Sequence, residues 1–268
     1  MFKEENLFIL TKTYPLPSKD YREHTCVAAI TEEGQLRRIY PIPFRLLDSG
    51  KQFKRWQWIS AEVERSSDKR PESHRINTDT IKILSNKPLG WPERMSIIEP
   101  QIFNSLGELD ANRISSGQSL GIIHPTSYQL EIEEEKSREW TPKELANLTK
   151  DGLFDPEEVK NRKTLRKLPY RFYYRYQCSE KSEIVEYRHL VTDWEAGMLY
   201  LNCAEKYGGK WEEKLRGKLE VEFSTKNDLY FLMGTMHRFQ DQWLIVGLIY
   251  PPRNKIIQGA LFRPGLNV

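Results

Sequence analysis

The sequence has few cysteines, no long apolar run and almost no net charge, and each deficit excludes a class of protein. Its 268 residues contain three cysteines, Cys26, Cys178 and Cys203, which are too dispersed for a disulfide framework or paired zinc knuckles. The longest apolar run, Trp243–Tyr250, is far shorter than the roughly 18–20 residues that span a bilayer. The opening Met-Phe-Lys-Glu-Glu-Asn does not have the order of a secretory signal. These features predict a cytoplasmic, globular protein without membrane partners.

Several catalytic signatures are also missing. The sequence contains no Walker loop, no Gly-x-Gly-x-x-Gly, no His-Glu-x-x-His and no Gly-x-Ser-x-Gly string. Common nucleotide-hydrolysing, dinucleotide-binding and serine-hydrolase chemistries are therefore not indicated, and the sequence predicts no cofactor.

The first third of the chain predicts β structure. Short apolar runs are separated by turn residues, and Glu32-Glu33-Gly34 is typical of a hairpin turn. Four strands are predicted: Leu7–Thr13, Thr25–Thr31, Gln35–Tyr40 and Trp56–Val63. Strands this short and closely spaced favour a strongly curved sheet or a small barrel.

The last third predicts an antiparallel sheet covered by two helices. Thr192-Asp193-Trp194-Glu195 has the pattern of a capping box that opens a helix through about Lys206, with Trp194, Met198 and Leu201 facing inward. A second helix is predicted from about Lys210 to Phe223. The predicted strands are Pro169–Cys178 and a hairpin of Leu229–Thr235 with Trp243–Tyr250. We expect these side chains to be mostly buried: Trp194, Leu201, Trp211, Leu215, Leu219, Phe231 and Trp243.

The middle of the chain is the most linker-like in composition. Glu133–Leu168 is rich in charge, although Thr141-Pro142-Lys143-Glu144 has a strong helix-start pattern. We therefore place a domain boundary near residue 150, between a β-rich domain (1–150) and an α+β domain (151–268). The predicted fold class is α+β.

The clearest chemical signal is a basic and aromatic segment. The formal net charge is only +3, yet Lys160–Tyr176 carries seven basic residues and no acidic one. In its second half Phe172, Tyr174 and Tyr176 alternate with Arg171, Tyr173 and Arg175, so a strand would separate them onto two faces. Rings that stack on bases and cations that contact phosphates form single-strand binding surfaces. The predicted nucleic-acid-binding residues are Lys160, Arg162, Lys163, Arg166, Lys167, Arg171, Tyr173 and Arg175. The competing interpretation is an ordinary strand with an aromatic core face and solvated arginines.

A second, weaker signal suggests an enzyme. His189, Asp193 and Glu195 resemble an acid–base or metal-binding group, with His237 and Cys178 as possible further members. The competing interpretation is structural, because carboxylates in a first helical turn cap free amides and complement the helix dipole.

Several strings, taken together in order, resemble an uncharacterised family of bacterial proteins of nearly the same length. They are Leu10–Ser18 (Leu-Thr-Lys-Thr-Tyr-Pro-Leu-Pro-Ser) followed by Cys26, Arg38–Arg45 (Arg-Ile-Tyr-Pro-Ile-Pro-Phe-Arg), Trp56-Gln57-Trp58, Arg70–Ser73, Asp193–Glu195, Asp228–Thr235 and Gly247–Pro252. No established activity comes with this resemblance, so it assigns no catalytic residue. It implies a bacterial cytoplasmic setting and, by association, a role in antiviral defence.

Members of that family often carry a Cys/His cluster just before the Asp-Trp-Glu string, which implies a small metal site. Only Cys178 and His189 stand there in this chain, so we predict no metal.

These observations lead to one main hypothesis and two alternatives. The first is a nucleic-acid-binding protein, with protein partners in a bacterial defence or processing complex. The alternatives are a nuclease or other enzyme acting on nucleic acid through His189, Asp193 and Glu195, and a protein-interaction module.

Overall fold

The amino-terminal strands close into a five-stranded barrel. The structure, a computed structural model, describes residues 1–85, 87–150 and 162–253. Strand β1 pairs with both β3 and β5, which closes the order β1–β3–β4–β6–β5 and confirms the predicted barrel. The strands of this sheet are β1 (Lys3–Lys12), β2 (Leu16–Ser18), β3 (Arg22–Thr31), β4 (Leu36–Ile42), β5 (Trp58–Arg65), β6 (Ser73–Ile76) and β7 (Lys82–Ile83).

Strand β1 is buried on both faces because its central run is continuously apolar. Leu7 and Ile9 point into the barrel, whereas Phe8 and Leu10 join a second core on its outer side. That second core includes Leu232 of the carboxy-terminal part of the chain. The barrel is therefore covered by the other half of the protein and shares a core with it.

Two further sheets complete the strand inventory of the described residues. Their strands are β8 (Ile102–Phe103), β9 (Leu120–Ile123), β10 (Ser127–Glu134), β11 (Tyr170–Glu180), β12 (Glu183–Leu190), β13 (Tyr230–Thr235) and β14 (Trp243–Ile249). One sheet has the order β10–β11–β12 and the other β14–β13–β9–β8. The hairpin predicted in the last third is confirmed as β13–β14, whose strands are antiparallel.

Strand β12 was not predicted. The turn that precedes it, Lys181-Ser182, adopts positive φ angles of 44° and 78° without a glycine or asparagine. A hairpin turn of this kind carries no sequence signal, because those two residue types are the ones that mark it.

Helices pack on the carboxy-terminal sheets, and the helix Pro142–Leu148 lies against β2 and β3 of the amino-terminal sheet, which confirms the α+β class. They are α1 (Trp91–Ile98), α2 (Leu106–Ser116), α3 (Pro142–Leu148), α4 (Trp194–Tyr207), α5 (Trp211–Arg216), a π-helix (Gly217–Glu222) and α6 (Phe223–Lys226). Short 3₁₀ turns lie at Phe44–Leu46, Ser49–Lys51, Thr78–Thr80, Glu99–Gln101 and Gly208–Lys210. The capping box predicted at Thr141 is present. No helix in the described ranges is long and apolar enough to cross a membrane.

Helix α4 differs in detail from its prediction. Its N-cap is Asp193, whose carboxylate accepts from the Ala196 amide, and not Thr192. Met198 is 37% exposed, so its inward placement was wrong. The buried face contains Gly197, which lets the ring of Tyr14 approach the helix backbone closely.

Five of the seven other burial predictions are confirmed. Leu201, Leu215, Leu219, Phe231 and Trp243 are buried, as predicted. The two tryptophans Trp194 and Trp211 are only partly buried.

The second predicted helix is interrupted by the π turn. The turn includes Leu219, whose carbonyl accepts a hydrogen bond from the buried Tyr174 hydroxyl at 2.8 Å. Tyr174 has no accessible surface, so its hydroxyl needs a partner inside the protein.

Candidate nucleic-acid interface and central cavity

Strand β11 separates its aromatic and basic side chains onto two faces, as the alternation predicts. Phe172, Tyr174 and Tyr176 belong to the carboxy-terminal core and are at most 3% exposed. Arg171 and Arg175 are exposed on the opposite face. The three buried rings therefore stabilise the core and are not accessible for stacking on bases.

Acidic side chains of the neighbouring strands neutralise much of the outer face. Arg175 lies 2.7 Å from Glu131 and 2.9 Å from Glu186. Arg188 pairs with the same Glu131, at 2.5 Å, and with Glu133. Exposed pairs of this kind contribute little stability, because water and salt screen them. They do occupy Arg175, so a phosphate there would have to displace two carboxylates.

The remaining outer-face residues of β11 differ from Arg175. The Tyr173 ring is covered by the Arg188 guanidinium, whose central carbon lies 3.7 Å from the ring centroid. Arg171 forms an ion pair with one carboxylate, Glu135, at 2.5 Å, contacts the Tyr173 side chain, and has a side chain that is 53% exposed. Of the two arginines predicted on this strand, Arg171 is more available than Arg175 for contact with a phosphate.

The segment before β11 disperses its positive charges. Arg162 donates to the Leu47 carbonyl at 2.9 Å and so ties the segment to the barrel. Lys163 is exposed, and Arg166 lies 3.6 Å from Glu205.

Lys167 donates to the Glu139 carbonyl at 3.1 Å, and its ammonium lies 5.7 Å from the centroid of the Trp140 ring. The predicted contact Lys160 lies outside the described residues.

Asp193 and Glu195 make capping and ion-pair contacts at the start of α4. Asp193 accepts from the Ala196 amide at 3.0 Å and from the Leu248 amide at 3.1 Å, and it is 3% exposed. Burial raises the pKa of Asp193, and the nearby Arg55 guanidinium partly offsets this. Glu195 forms an ion pair with Arg55 at 2.9 Å. These contacts join the start of α4 to the barrel.

The histidines of the enzyme hypothesis do not join these carboxylates. His189 Nδ1 lies 3.0 Å from the Tyr176 hydroxyl, and burial lowers the pKa of His189 to about 4. His237 lies elsewhere, 3.0 Å from Asp68. In the part of the chain that the structure describes, no group of three or more His, Cys, Asp and Glu side chains could hold a metal ion.

The structure contains a cavity that the sequence did not indicate. It has a volume of about 720 Å³ and lies between the barrel and the carboxy-terminal sheets. Strands β3, β4 and β6 contribute to one wall, and β11 and β14 to the other. We call it the central cavity.

Exposed apolar and aromatic side chains border the cavity. Tyr40 is 45% exposed, Leu16 56% and Met236 37%, and the rings of Trp140 and Tyr170 also line the space. Exposed rings around a concave surface are typical of sites that bind flat, partly apolar ligands.

The charges of the cavity favour an anion. Among its described lining residues, five basic side chains stand against two carboxylates. The basic residues are Arg38, Arg70, Arg75, Lys167 and Arg171, and the carboxylates are Asp68 and Glu135. Arg75 and Arg171 are exposed and so border the opening, whereas Arg38 and Arg70 are 5% and 6% exposed and form the inner end.

The two inner arginines are held by the surrounding backbone. Arg38 donates through Nη2 to the Ser119 carbonyl at 2.9 Å and lies 3.7 Å from Glu72. Arg70 donates to the Thr235 carbonyl at 2.7 Å and pairs with Asp68. Burial lowers the pKa of the Arg38 guanidinium, so an anionic ligand nearby would be stabilising.

Asp68 contacts both Arg70 at the inner end and the exposed His237. Burial raises the pKa of Asp68, but hydrogen bonds from Arg70 and His237 lower it more, to well below its usual range. Asp68 is thus held as a carboxylate that positions Arg70.

Cys26 also lines the cavity and is only partly buried. Burial raises the pKa of the Cys26 thiol, against the opposing effect of Arg38 and Arg70. The thiol form is therefore favoured over the nucleophilic thiolate.

Four of the sequence strings that carry the family resemblance contribute side chains to this cavity. Tyr14 and Leu16 come from the first string, and Arg38 and Tyr40 come from the second. The strings at 70–73 and 228–235 also contribute lining side chains. These motif residues were the sequence signal that could have indicated the cavity, although they lie far apart in the chain.

The comparisons with known proteins agree with the resemblance and add no activity. Residues 103–265 match the model of a domain of unknown function, DUF8757, and residues 3–100 match that of another, DUF8758. The matched segments meet near residue 101, and the boundary near residue 150 stays a prediction. No curated protein matches the sequence.

Proposed function

We propose that this chain, which belongs to the family defined by the domain of unknown function DUF8757, binds single-stranded nucleic acid at the central cavity. The observation that carries the proposal is the combination, in one concave site, of aromatic rings, among them the exposed Tyr40 and the partly exposed Trp140, with an excess of basic side chains.

The rings favour a strand whose bases are unpaired. In a duplex, neighbouring base pairs cover the faces of the bases, whereas an unpaired base offers its face to a ring such as Tyr40, which is 45% exposed, or Trp140. Tyr170 already packs against Trp211, with 4.6 Å between the ring centroids, and so contributes to the wall. Base–aromatic stacking contributes about 1–3 kcal/mol per base. A volume of about 720 Å³ falls in the range of pockets that enclose a small ligand, roughly 300–1,000 Å³.

The cations at the opening favour the phosphate backbone. Arg75, Lys167 and Arg171 line the cavity, and Arg75 and Arg171 are exposed. Arg175 is on the same strand and face as Arg171 but does not line the cavity and is held by two glutamates. The proposed interface thus keeps Lys167 and Arg171 of the basic segment and leaves out Arg175 and the covered Tyr173.

Fluorescence anisotropy tests the proposal. Labelled single-stranded DNA, single-stranded RNA and duplex DNA of one sequence are titrated with protein at about 50 and 200 mM salt. Contacts from three cations predict a salt slope near −2, which is roughly a 20-fold loss of single-strand affinity across this range. Duplex DNA is expected to bind more weakly than either single strand.

Arg171→Gln and Arg175→Gln form a matched pair for this assay. We expect Arg171→Gln to weaken binding several-fold and to reduce the salt slope by about 0.7, because one phosphate contact is lost. Arg175→Gln should bind like the wild type. Equal effects of the two substitutions would place the interface on the open face of the sheet, and no binding to any strand at low salt would end the proposal.

A further inference from the structure

We infer that the inner end of the central cavity is a phosphoryl-binding subsite formed by Arg38, Ser73 and Thr235, and that it receives the terminal phosphate of a nucleic-acid strand. This inference rests on the proposed function and specifies which part of the strand enters the cavity.

The three side chains lie together although they are far apart in the sequence. Arg38 on β4 is the register partner of Ser73 on β6. The Arg38 Nη1 atom lies 3.4 Å from the position that a Cβ atom on Gly234 would occupy, next to Thr235. Arg70 fixes the same corner by donating to the Thr235 carbonyl at 2.7 Å.

Each of the three has unmet hydrogen-bonding capacity. Arg38 Nε, Ser73 Oγ and Thr235 Oγ1 are buried and have no hydrogen-bond partner in the residues that the structure covers. Their residues are 5%, 4% and 3% exposed, and all three line the cavity. Buried polar groups are almost always paired in native proteins, so three unpaired ones in one cavity wall indicate a missing ligand.

The chemistry of these groups fits a phosphate. A guanidinium and two hydroxyls supply donors to a group that has three acceptor oxygens and nearly two negative charges. Two carboxylates lie near these groups. Asp68 pairs with Arg70, whereas Glu72, which does not line the cavity, accepts from the Ser119 amide through Oε1, the same oxygen that lies 3.7 Å from Arg38 Nη2. Glu72 therefore offsets part of the Arg38 charge, while the Arg38 Nε–H and the two hydroxyls remain unpaired.

The burial of the subsite selects the end of a strand. An internal phosphodiester continues in both directions, so reaching this depth would require two more nucleotides to enter beside it. A terminal phosphate monoester can enter first, with its base remaining among the rings near the opening. A free mononucleotide has the same monoester chemistry, so the experiment includes it.

The test compares one ten-nucleotide single-stranded DNA bearing a 5′-phosphate, a 3′-phosphate or only hydroxyl ends, with deoxyadenosine monophosphate as a separate probe. We expect one phosphorylated form to bind at least about 10-fold more tightly than the hydroxyl form, because hydrogen bonds to a charged group are strong. Thr235→Val and Ser73→Ala should each remove most of this preference.

These two substitutions should leave folding intact, since they delete hydroxyl oxygens that bond to nothing in the described residues. Ser85→Ala is the matched control, because the Ser85 hydroxyl is likewise buried and unpaired there but does not line the cavity. Melting temperatures of all three variants should match or exceed that of the wild type.

The outcomes separate the two proposals. One outcome is that wild type binds the three oligonucleotides with the same affinity and Thr235→Val does so too. In that case the subsite is refuted while nucleic-acid binding stands. If the mononucleotide binds in a Thr235-dependent manner and no oligonucleotide binds, the phosphoryl subsite stands and the proposed strand binding is refuted.

Discussion

At the scale of single residues, environment decides what each ionisable side chain can do. Arg171 and Arg175 are four residues apart on one strand face, yet one borders the central cavity and the other is held by two glutamates. His189 was a candidate acid or base, but burial lowers the pKa of His189 to about 4 and favours the neutral ring at pH 7. The structural role of His189 can be tested through the pH dependence of stability.

We predict that protonation of His189 destabilises the fold as the pH falls from about 6.5 to 4. The folded-state pKa lies below the unfolded value, so the stabilising contribution is complete above pH 6.5 and is lost towards pH 4. We measure the free energy of unfolding in urea at several pH values. Between pH 6.5 and 4.5, this free energy should fall by roughly 1–3 kcal/mol more for wild type than for His189→Asn.

The difference in the free energy of unfolding between wild type and His189→Asn at pH 8 provides the baseline, because at that pH the imidazole is neutral in both the folded and unfolded states. Parallel stability curves for wild type and His189→Asn would contradict the burial of a neutral ring.

At the scale of elements, the close packing of helix α4 against its neighbours depends on one glycine, Gly197. A Cβ on Gly197 would lie 2.6 Å from Cδ2 of Tyr14 and 3.1 Å from Cδ1 of Leu168. Both neighbours line the central cavity, so this close packing also positions part of its wall.

We predict that Gly197→Ala lowers the free energy of unfolding by about 1–2 kcal/mol. Overpacking costs about 1–3 kcal/mol, and the better helix propensity of alanine recovers up to about 1 kcal/mol. Gly217→Ala is the control, because a Cβ there meets no atom of the described residues within 4 Å. Urea unfolding should show Gly217→Ala as stable as wild type or up to about 1 kcal/mol more stable; equal losses in both variants would exclude the packing explanation.

At the scale of the whole molecule, the barrel and the carboxy-terminal part are joined by buried polar contacts as well as by a shared core. Arg55 donates to the carbonyls of Leu10 and Leu248, at 2.6 Å each, and pairs with Glu195. Tyr14 donates its amide to the Thr192 carbonyl at 2.7 Å. These contacts hold together the two sides of the central cavity.

We predict that Arg55→Leu lowers the free energy of unfolding by about 3–5 kcal/mol. The change leaves two buried carbonyls without their donor and leaves Asp193 without its nearest positive charge. Arg138→Leu is the control: it removes an ion pair whose arginine is 62% exposed, and it should leave the free energy of unfolding nearly unchanged. Denaturant unfolding measures both, and a small effect of Arg55→Leu would mean that the shared apolar core alone joins the two parts.

Features encoded over a few neighbouring residues could be read from the sequence. The alternation in β11 predicted that its aromatic and basic side chains separate onto two faces, and the Thr141 capping box predicted the start of α3. The short apolar runs of the first third predicted the barrel, because each strand needs one buried face. Such patterns depend on the periodicity of one element and on the hydrogen bonds of its ends, which are local.

The binding chemistry of β11 depended on other strands. Glu131 lies opposite Tyr173 in the β10–β11 ladder and neutralises Arg175, a pairing set by a register that the sequence does not reveal. Likewise, Arg38 and Ser73 meet through the β4–β6 pairing inside the barrel, and Thr235 joins them only when the barrel packs against the carboxy-terminal sheet. Local periodicity therefore predicted most of the elements, whereas the candidate site required the long-range contacts that bring distant side chains to one cavity.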